Sequence, residues 1–239
     1  MKNSKTIKTK KIGIIGGVGP QATMCFYNYI TKQSQRKYGA EKNEDYPYMI
    51  IESIPIPDFI SNTEMISQST EMLTKSVKIL ENAGAKKLCI ACNTVHVLLN
   101  ELQEKTNIEF ISIIESVVKE VRNLEYKKVG VLASPVALKY GLYSQALMAE
   151  GIKPIIPDSN QQNTIKEIIG LIMAGEDNGK ERKKYINILN DFIDKGAEGI
   201  ILGCTELPLA INYEALGGRV INSMEVLAEN IVDYYYRNN

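Results

Sequence analysis

Five short apolar runs, each ending in small or polar residues, constrain this chain more than any other feature. The first is Lys11-Ile12-Gly13-Ile14-Ile15-Gly16-Gly17, which stops at glycines and so reads as a buried strand entering a tight turn. Lys87-Leu88-Cys89-Ile90-Ala91, Lys128-Val129-Gly130-Val131-Leu132-Ala133 and Gly199-Ile200-Ile201-Leu202-Gly203 repeat the form. The fifth, Tyr48-Met49-Ile50-Ile51-Glu52-Ser53, leads into Pro55-Ile56-Pro57-Asp58, where the prolines forbid both helix and central strand. Between the runs the spacing predicts helices over roughly Gln21 to Lys37, Asn62 to Ala83, Thr94 to Glu104, Ser112 to Leu124, Lys139 to Glu150, Asn160 to Ala174, Gly179 to Lys195 and Met224 to Tyr236. Strands that alternate with helices of this length need crossover connections, which means an α/β fold with parallel sheets and helices on both faces.

The runs also repeat on a larger scale. Gly13-Ile14-Ile15-Gly16-Gly17 corresponds to Gly130-Val131-Leu132-Ala133-Ser134 at an offset of 117, and Ala91-Cys92-Asn93-Thr94 corresponds to Gly203-Cys204-Thr205 at an offset of 112. Asn82-Ala83-Gly84-Ala85 and Lys195-Gly196-Ala197-Glu198-Gly199 are alike too, each a helix exit through glycine before a strand. Any α/β protein repeats strand-turn-helix units. The matched cysteines are what favour two related halves over that plainer reading.

At 239 residues the chain can bury a substantial core, as one large unit or, in the preferred reading, as two lobes of ordinary domain length. Lysine plus arginine and aspartate plus glutamate both number 28, so no large basic face is implied that would draw in nucleic acid or an anionic membrane. The expected partner is a small molecule. Met1 to Lys11 holds five lysines but no apolar stretch for a signal peptide, and no later window approaches a bilayer span, so the expectation is a cytoplasmic protein. Four cysteines without an export signal argue for reduced thiols. Cys89 and Cys92 form a Cys-x-x-Cys, which alone would suggest redox or zinc chemistry. Cys89, however, lies inside an apolar run, and the only histidine that could add a ligand is His96, so no metal site is expected.

In parallel α/β sheets ligands bind beyond the carboxyl ends of the strands, and Cys92 and Cys204 each stand at such an end with a helix following. A helix N-terminus beside each sulfur would lower its pKa from about 8.5 toward neutrality and give a thiolate base. A single strand-end cysteine is more often a small buried hydrophobe. Two at matching positions in matching halves weaken that reading.

Ala91-Cys92-Asn93-Thr94-Val95-His96 and Leu202-Gly203-Cys204-Thr205-Glu206-Leu207-Pro208 resemble the Cys-Asn-Thr-x-His and Gly-Cys-Thr-Glu motifs of the aspartate racemase branch of the Asp/Glu racemase superfamily. Gly16-Gly17-Val18-Gly19-Pro20-Gln21-Ala22-Thr23 is similar to that branch's opening Gly-Gly-Met-Gly-Pro-x-Ala-Thr loop, with Val18 at the Met. The glutamate racemase branch usually has His where this chain has Glu206. The resemblance spans essentially the whole chain. It implies two pseudo-symmetric α/β lobes with mainly parallel sheets and an active site in the cleft between them. Residues 1–118 would form the first lobe, joined by 209–239 through a returning C-terminal helix, and 119–208 the second. It also implies a cofactor-independent amino-acid racemase, an isomerase using neither pyridoxal phosphate nor metal. One of Cys92 and Cys204 would take the Cα proton and the other return one from the opposite face, with roles exchanging with the substrate's hand. A homodimer is compatible with the same resemblance.

Such a reaction needs donors that converge on the substrate's α-carboxylate and a site that excludes water. Asn93, Thr94 and Thr205 follow the thiols directly, and Gly17, Val18, Gly19 and Ser134 stand at the other two strand ends. Thr94 and Thr205 fit helix N-capping as well as substrate binding. His96 and Glu206 are placed either to tune the thiols or to serve the structure. Two departures from the family pattern concern substrate. Aspartate racemases often carry Pro-Asp-Arg where this chain has Pro57-Asp58-Phe59, and a basic residue near the position held here by Met173. The missing cations point away from aspartate itself more than from the reaction type. Lys139, Lys166 and Arg182 remain as candidates to reach the cleft. The other readings are a superfamily decarboxylase or isomerase working on a small carboxylic acid through one thiol, and a non-catalytic binding protein.

Overall fold

Each apolar run is a strand, and each stops where its small residues begin. The computed structural model describes residues 10–57, 64–176, 179–211, 213 and 218–237. The first half comprises β1 (Lys11–Gly16), α1 (Pro20–Tyr38), β2 (Tyr48–Ser53), α2 (Ile66–Asn82), β3 (Ala85–Ile90), a 3-10 turn over Thr94–Leu98, α3 (Leu99–Gln103) and α4 (Ile113–Asn123). The second comprises β4 (Lys128–Ala133), α5 (Pro135–Lys139), α6 (Leu142–Ala149), β5 (Lys153–Ile155), α7 (Ser159–Ala174), α8 (Gly179–Asp194), β6 (Gly199–Gly203), α9 (Leu207–Ala210), β7 (Val220–Asn222) and α10 (Ser223–Arg237).

The strands make two parallel sheets, ordered β2-β1-β3 and β5-β4-β6-β7. The order β2-β1-β3 is that of β5-β4-β6, and an isolated parallel bridge from Leu88 to Phe110 stands beside β3 where β7 stands beside β6. The likeness reaches single side chains. Gly84 and Gly196 leave their helices with φ of 85° and 83°, a left-handed backbone that favours glycine. The ammonium of Lys11, which opens β1, donates to the helix-end carbonyl of Ala83 at 3.1 Å, and that of Lys128, which opens β4, donates to the carbonyl of Lys195. A cation at a helix C-terminus satisfies an orphan carbonyl and complements the dipole.

Three expectations need correction. The helix expected over Lys139 to Glu150 is α6, which starts later, behind Gly141 with its φ of 64°, and the short α5 before it was not expected. The helix expected from Thr94 begins as a 3-10 turn. Strands β5 and β7 were not foreseen, because three residues carry too little pattern; β5 contains Pro154, which an edge strand tolerates.

Three apolar clusters hold the molecule. One lies on the outer side of each sheet, around Leu73, Val77 and Leu88 in the first and Ile168, Leu189 and Phe192 in the second. The third joins both halves: Ile12, Ile14 and Cys89 from the first sheet meet Val129, Val131 and Ile201 from the second, with Phe26, Val117 and Leu227 from α1, α4 and α10. The C-terminal helix packs back on α1, where Lys37 pairs with Glu229 at 2.5 Å and Asp233 at 2.8 Å and the ring of Tyr38 stacks on Tyr236 at 4.4 Å. Among the described residues no helix is long and apolar enough to cross a membrane.

Candidate active site

Cys92 and Cys204 stand just beyond the carboxyl ends of β3 and β6, at 5% and 3% exposure. Their nearest polar neighbours differ in kind. Cys92 is met by donors: the N–H groups of Val95 and Thr94 and the Thr94 hydroxyl. The Cys204 thiol itself donates to Oε2 of Glu206 at 3.1 Å, and the Thr205 hydroxyl donates to the same oxygen at 2.8 Å. The expected fall of both thiol pKa values does not occur. Burial pushes Cys92 up to about 12 against the pull of its donors, and the charge of Glu206 adds to the rise. Cys204 is pushed well above its ordinary value, first by burial and then by Glu206, and the charge of Cys92 contributes as well. The elements after the thiols are a five-residue 3-10 turn and a four-residue helix, too short for their dipoles to offset burial.

A chain of buried hydrogen bonds ties the two thiol turns together. The Tyr143 hydroxyl, from α6, donates to Oδ1 of Asn93 at 2.5 Å. Nδ2 of Asn93 donates to Ser223 Oγ at 3.1 Å, and Ser223 Oγ donates to the Leu202 carbonyl of β6 at 2.8 Å. A second link joins the halves where the hydroxyls of Thr94 and Ser134 meet at 2.8 Å. Ser134 also accepts the Ala137 N–H at 3.2 Å and so caps α5. Neither Thr94 nor Thr205 is a helix N-cap, so the capping alternative fails for both.

His96 holds the Cys92 turn through its backbone. Its Nε2 accepts the Ile113 N–H at 3.1 Å, so the ring proton is on Nδ1 and donates to the Cys92 carbonyl at 2.8 Å. Burial lowers its pKa to about 4, which keeps the ring neutral near pH 7. It is a brace for the turn rather than a partner of the sulfur.

Gly17, Val18 and Gly19 line a cavity of about 90 Å³ together with Pro20, Ile56, Pro57, Cys92, Thr94, Val95 and Met173. The Gly17 N–H is already bonded to the Thr23 hydroxyl at 2.9 Å. A Cβ added at Gly19 would lie 2.6 Å from Oε1 of Glu206, so this loop of the first half comes close to the carboxyl beside Cys204. The halves also meet where Gln21 Nε2 donates to the Met173 carbonyl at 3.4 Å. Asn93, Ser134 and Thr205 are buried in the seam and do not line the cavity. Phe59, the other position marked by a missing cation, lies outside the described residues, and Lys139, Lys166 and Arg182 are exposed and absent from the cavity wall. A wider open concavity of about 590 Å³ over α2 and α3 is lined largely by polar surface residues such as Ser67, Thr70 and Glu71, and neither thiol lines it. Among the described residues no cluster of histidine, cysteine and acidic side chains could hold a metal. Tyr143 and Ser223 escaped sequence reasoning because their partners lie 50 and 130 residues away.

Residues 15–231 match the Asp/Glu/Hydantoin racemase family. The chain is 27% identical over 224 residues to the broad specificity amino-acid racemase RacX of Bacillus subtilis, covering 94% of this chain and 97% of that one. Among solved structures it is similar to an aspartate racemase homologue from Pyrococcus horikoshii, with 29% identity, TM-score 0.79 and coverage of 95% and 99%. It is also similar to the aspartate racemase of Picrophilus torridus, with 26% identity, TM-score 0.82 and coverage of 95% and 94%. The two parallel sheets with their helices match the two-lobe fold of these racemase neighbours, and the chain belongs to the Asp/Glu/Hydantoin racemase family. It is an isomerase of the racemase class.

Proposed function

We propose that this protein racemises free α-amino acids without a cofactor, moving one proton off Cα and another onto its opposite face through Cys92 and Cys204. The observation that carries the reading is the matched pair of buried thiols at corresponding strand ends, each close enough for the charge of one to bear on the other. With substrate bound, their surroundings favour different roles. Donors around Cys92 favour its thiolate, whereas the acceptor Glu206 favours the thiol of Cys204. Cys92 takes the Cα proton and becomes a thiol; the electron pair left on Cα takes the proton of Cys204, which becomes the thiolate. The atoms balance with no oxidant or reductant. The opposite hand of substrate runs the same steps in reverse.

A thiol near 12 needs help to ionise, and the substrate's α-ammonium supplies it. At about 4 Å and an effective dielectric of about 20, a unit charge contributes about 4 kcal/mol, which brings such a thiol down to about 9.

Incubation with single enantiomers in deuterated buffer tests the reading. Deuterium should enter Cα together with inversion, in the presence of a chelator. Cys92→Ser and Cys204→Ser should each lower racemisation by about 100-fold or more while keeping the fold, and Cys25→Ser and Cys89→Ser should keep turnover per folded molecule. Near-normal turnover by either active-site variant would sink the two-thiol mechanism. Carbon dioxide released in place of inversion would make the protein a decarboxylase.

A further inference from the structure

We propose that the substrate's side chain is short, uncharged and apolar, and that Val18, Ile56, Pro57, Val95 and Met173 are the residues that select it. The inference rests on the racemase reading and extends it to a substrate class. These five side chains supply most of the wall of the cavity into which Cys92 faces, the rest being Pro20, Thr94 and two glycines. The wall is rooted in both halves: Val18 and Ile56 pack on the outer cluster of the first sheet and Met173 on that of the second, while Val95 is itself fully buried. The Met173 backbone is held to α1 by Gln21. Apolar walls fixed in this way reward apolar atoms and, among the described residues, offer a charged group no partner.

Size and charge narrow the class further. The cavity is small, about 90 Å³, which favours a short side chain over a long one. Among the described residues an acidic group, Glu206, stands at the reacting end, since its Oε2 is 3.1 Å from Cys204 Sγ. There it can face the α-ammonium that every amino acid carries, and it would repel an acidic side chain. A basic side chain would have to cross the apolar wall to reach it. Alanine, 2-aminobutyrate and norvaline fit these limits; aspartate, glutamate, lysine and arginine do not.

The test is Cα deuterium exchange by the full-length protein, with these seven amino acids compared by kcat/KM. The short aliphatic members should exceed every charged one by about tenfold or more, the discrimination that about 1.4 kcal/mol provides. Faster exchange of any charged amino acid would overturn the proposal while leaving the racemase reading intact. Exchange of none of the seven, with phenylalanine and serine also inert, would remove both. Met173→Lys should raise the ratio of aspartate to 2-aminobutyrate by about tenfold or more. The ratio is read per folded molecule, with Met173→Gln as a neutral polar control that should shift it far less. An unchanged ratio in a folded Met173→Lys protein would take Met173 out of the selecting wall and refute the assignment.

Discussion

At the residue scale, the thiols sit in a balance between burial and their hydrogen-bond partners, and burial prevails. Glu206 raises Cys204 and Cys92 alike. Its replacement by glutamine removes that charge, so the rising limb of kcat/KM against pH should move to lower pH in Glu206→Gln, followed from about pH 6 to about pH 10. A limb that stays in place would show that Glu206 does not govern thiol ionisation. His96 makes an opposite prediction, about stability. Its pKa is lowered in the fold to about 4 from an ordinary value of about 6.5. Above 6.5 neither folded nor unfolded chain carries this proton; between 6.5 and 4 only the unfolded chain takes it up. The contribution is therefore complete above about pH 6.5 and lost as pH falls toward 4, amounting to about 3 kcal/mol. Urea unfolding at about pH 7 and about pH 4.5 should show His96→Gln less stable than the parent at neutral pH, with a smaller loss on acidification. Equal losses in both proteins would contradict this.

At the element scale, what was legible in the sequence is what local pattern encodes. The five apolar runs became β1 to β4 and β6; β1, β4 and β6 are almost wholly buried, and a strand buried on both faces is continuous in apolar residues, whereas β2 is a partly exposed edge strand. The two glycine exits and the two cysteine turns were readable for the same reason: each is a short string with one physical need. The later start of α6 behind Gly141 was hidden inside a good helical pattern, and β5 and β7 exist by pairing to neighbours rather than by their own residues. The site was legible only in its thiols and its glycine loop. What surrounds them is assembled from distant elements, as Tyr143 shows: its hydroxyl ties α6 to the turn after β3, and its ring lies so close to Gly203 that a Cβ there would be 2.6 Å from it. Tyr143→Phe keeps that ring and leaves Asn93 Oδ1 buried without its donor. A loss of about 1 to 3 kcal/mol is expected, with kcat reduced for both enantiomers. Unchanged kcat in both directions would show that the bond does not position the thiol turns.

At the scale of the whole molecule, the halves close over the thiols. Cys25, on α1, is half-buried, whereas Cys89, Cys92 and Cys204 are buried. In the native protein a thiol reagent should therefore modify Cys25 first and the other three slowly, with all four reacting together in denaturant. Rapid native modification of Cys92 would mean the cleft stands open in solution. The near two-fold likeness of the halves is broken beside the thiols themselves, where Thr94 lies two residues after Cys92 and Glu206 two residues after Cys204. That difference has a kinetic signature. Mirror-image amino acids have the same free energy in water, so kcat/KM must be equal for both hands however lopsided the site is. One hand meets the protonation pattern that these surroundings favour. The other must wait for the rarer form, and its apparent affinity falls by the fraction of protein in that form. Equality of kcat/KM then obliges the enantiomer with the larger KM to have the larger kcat, by the same factor.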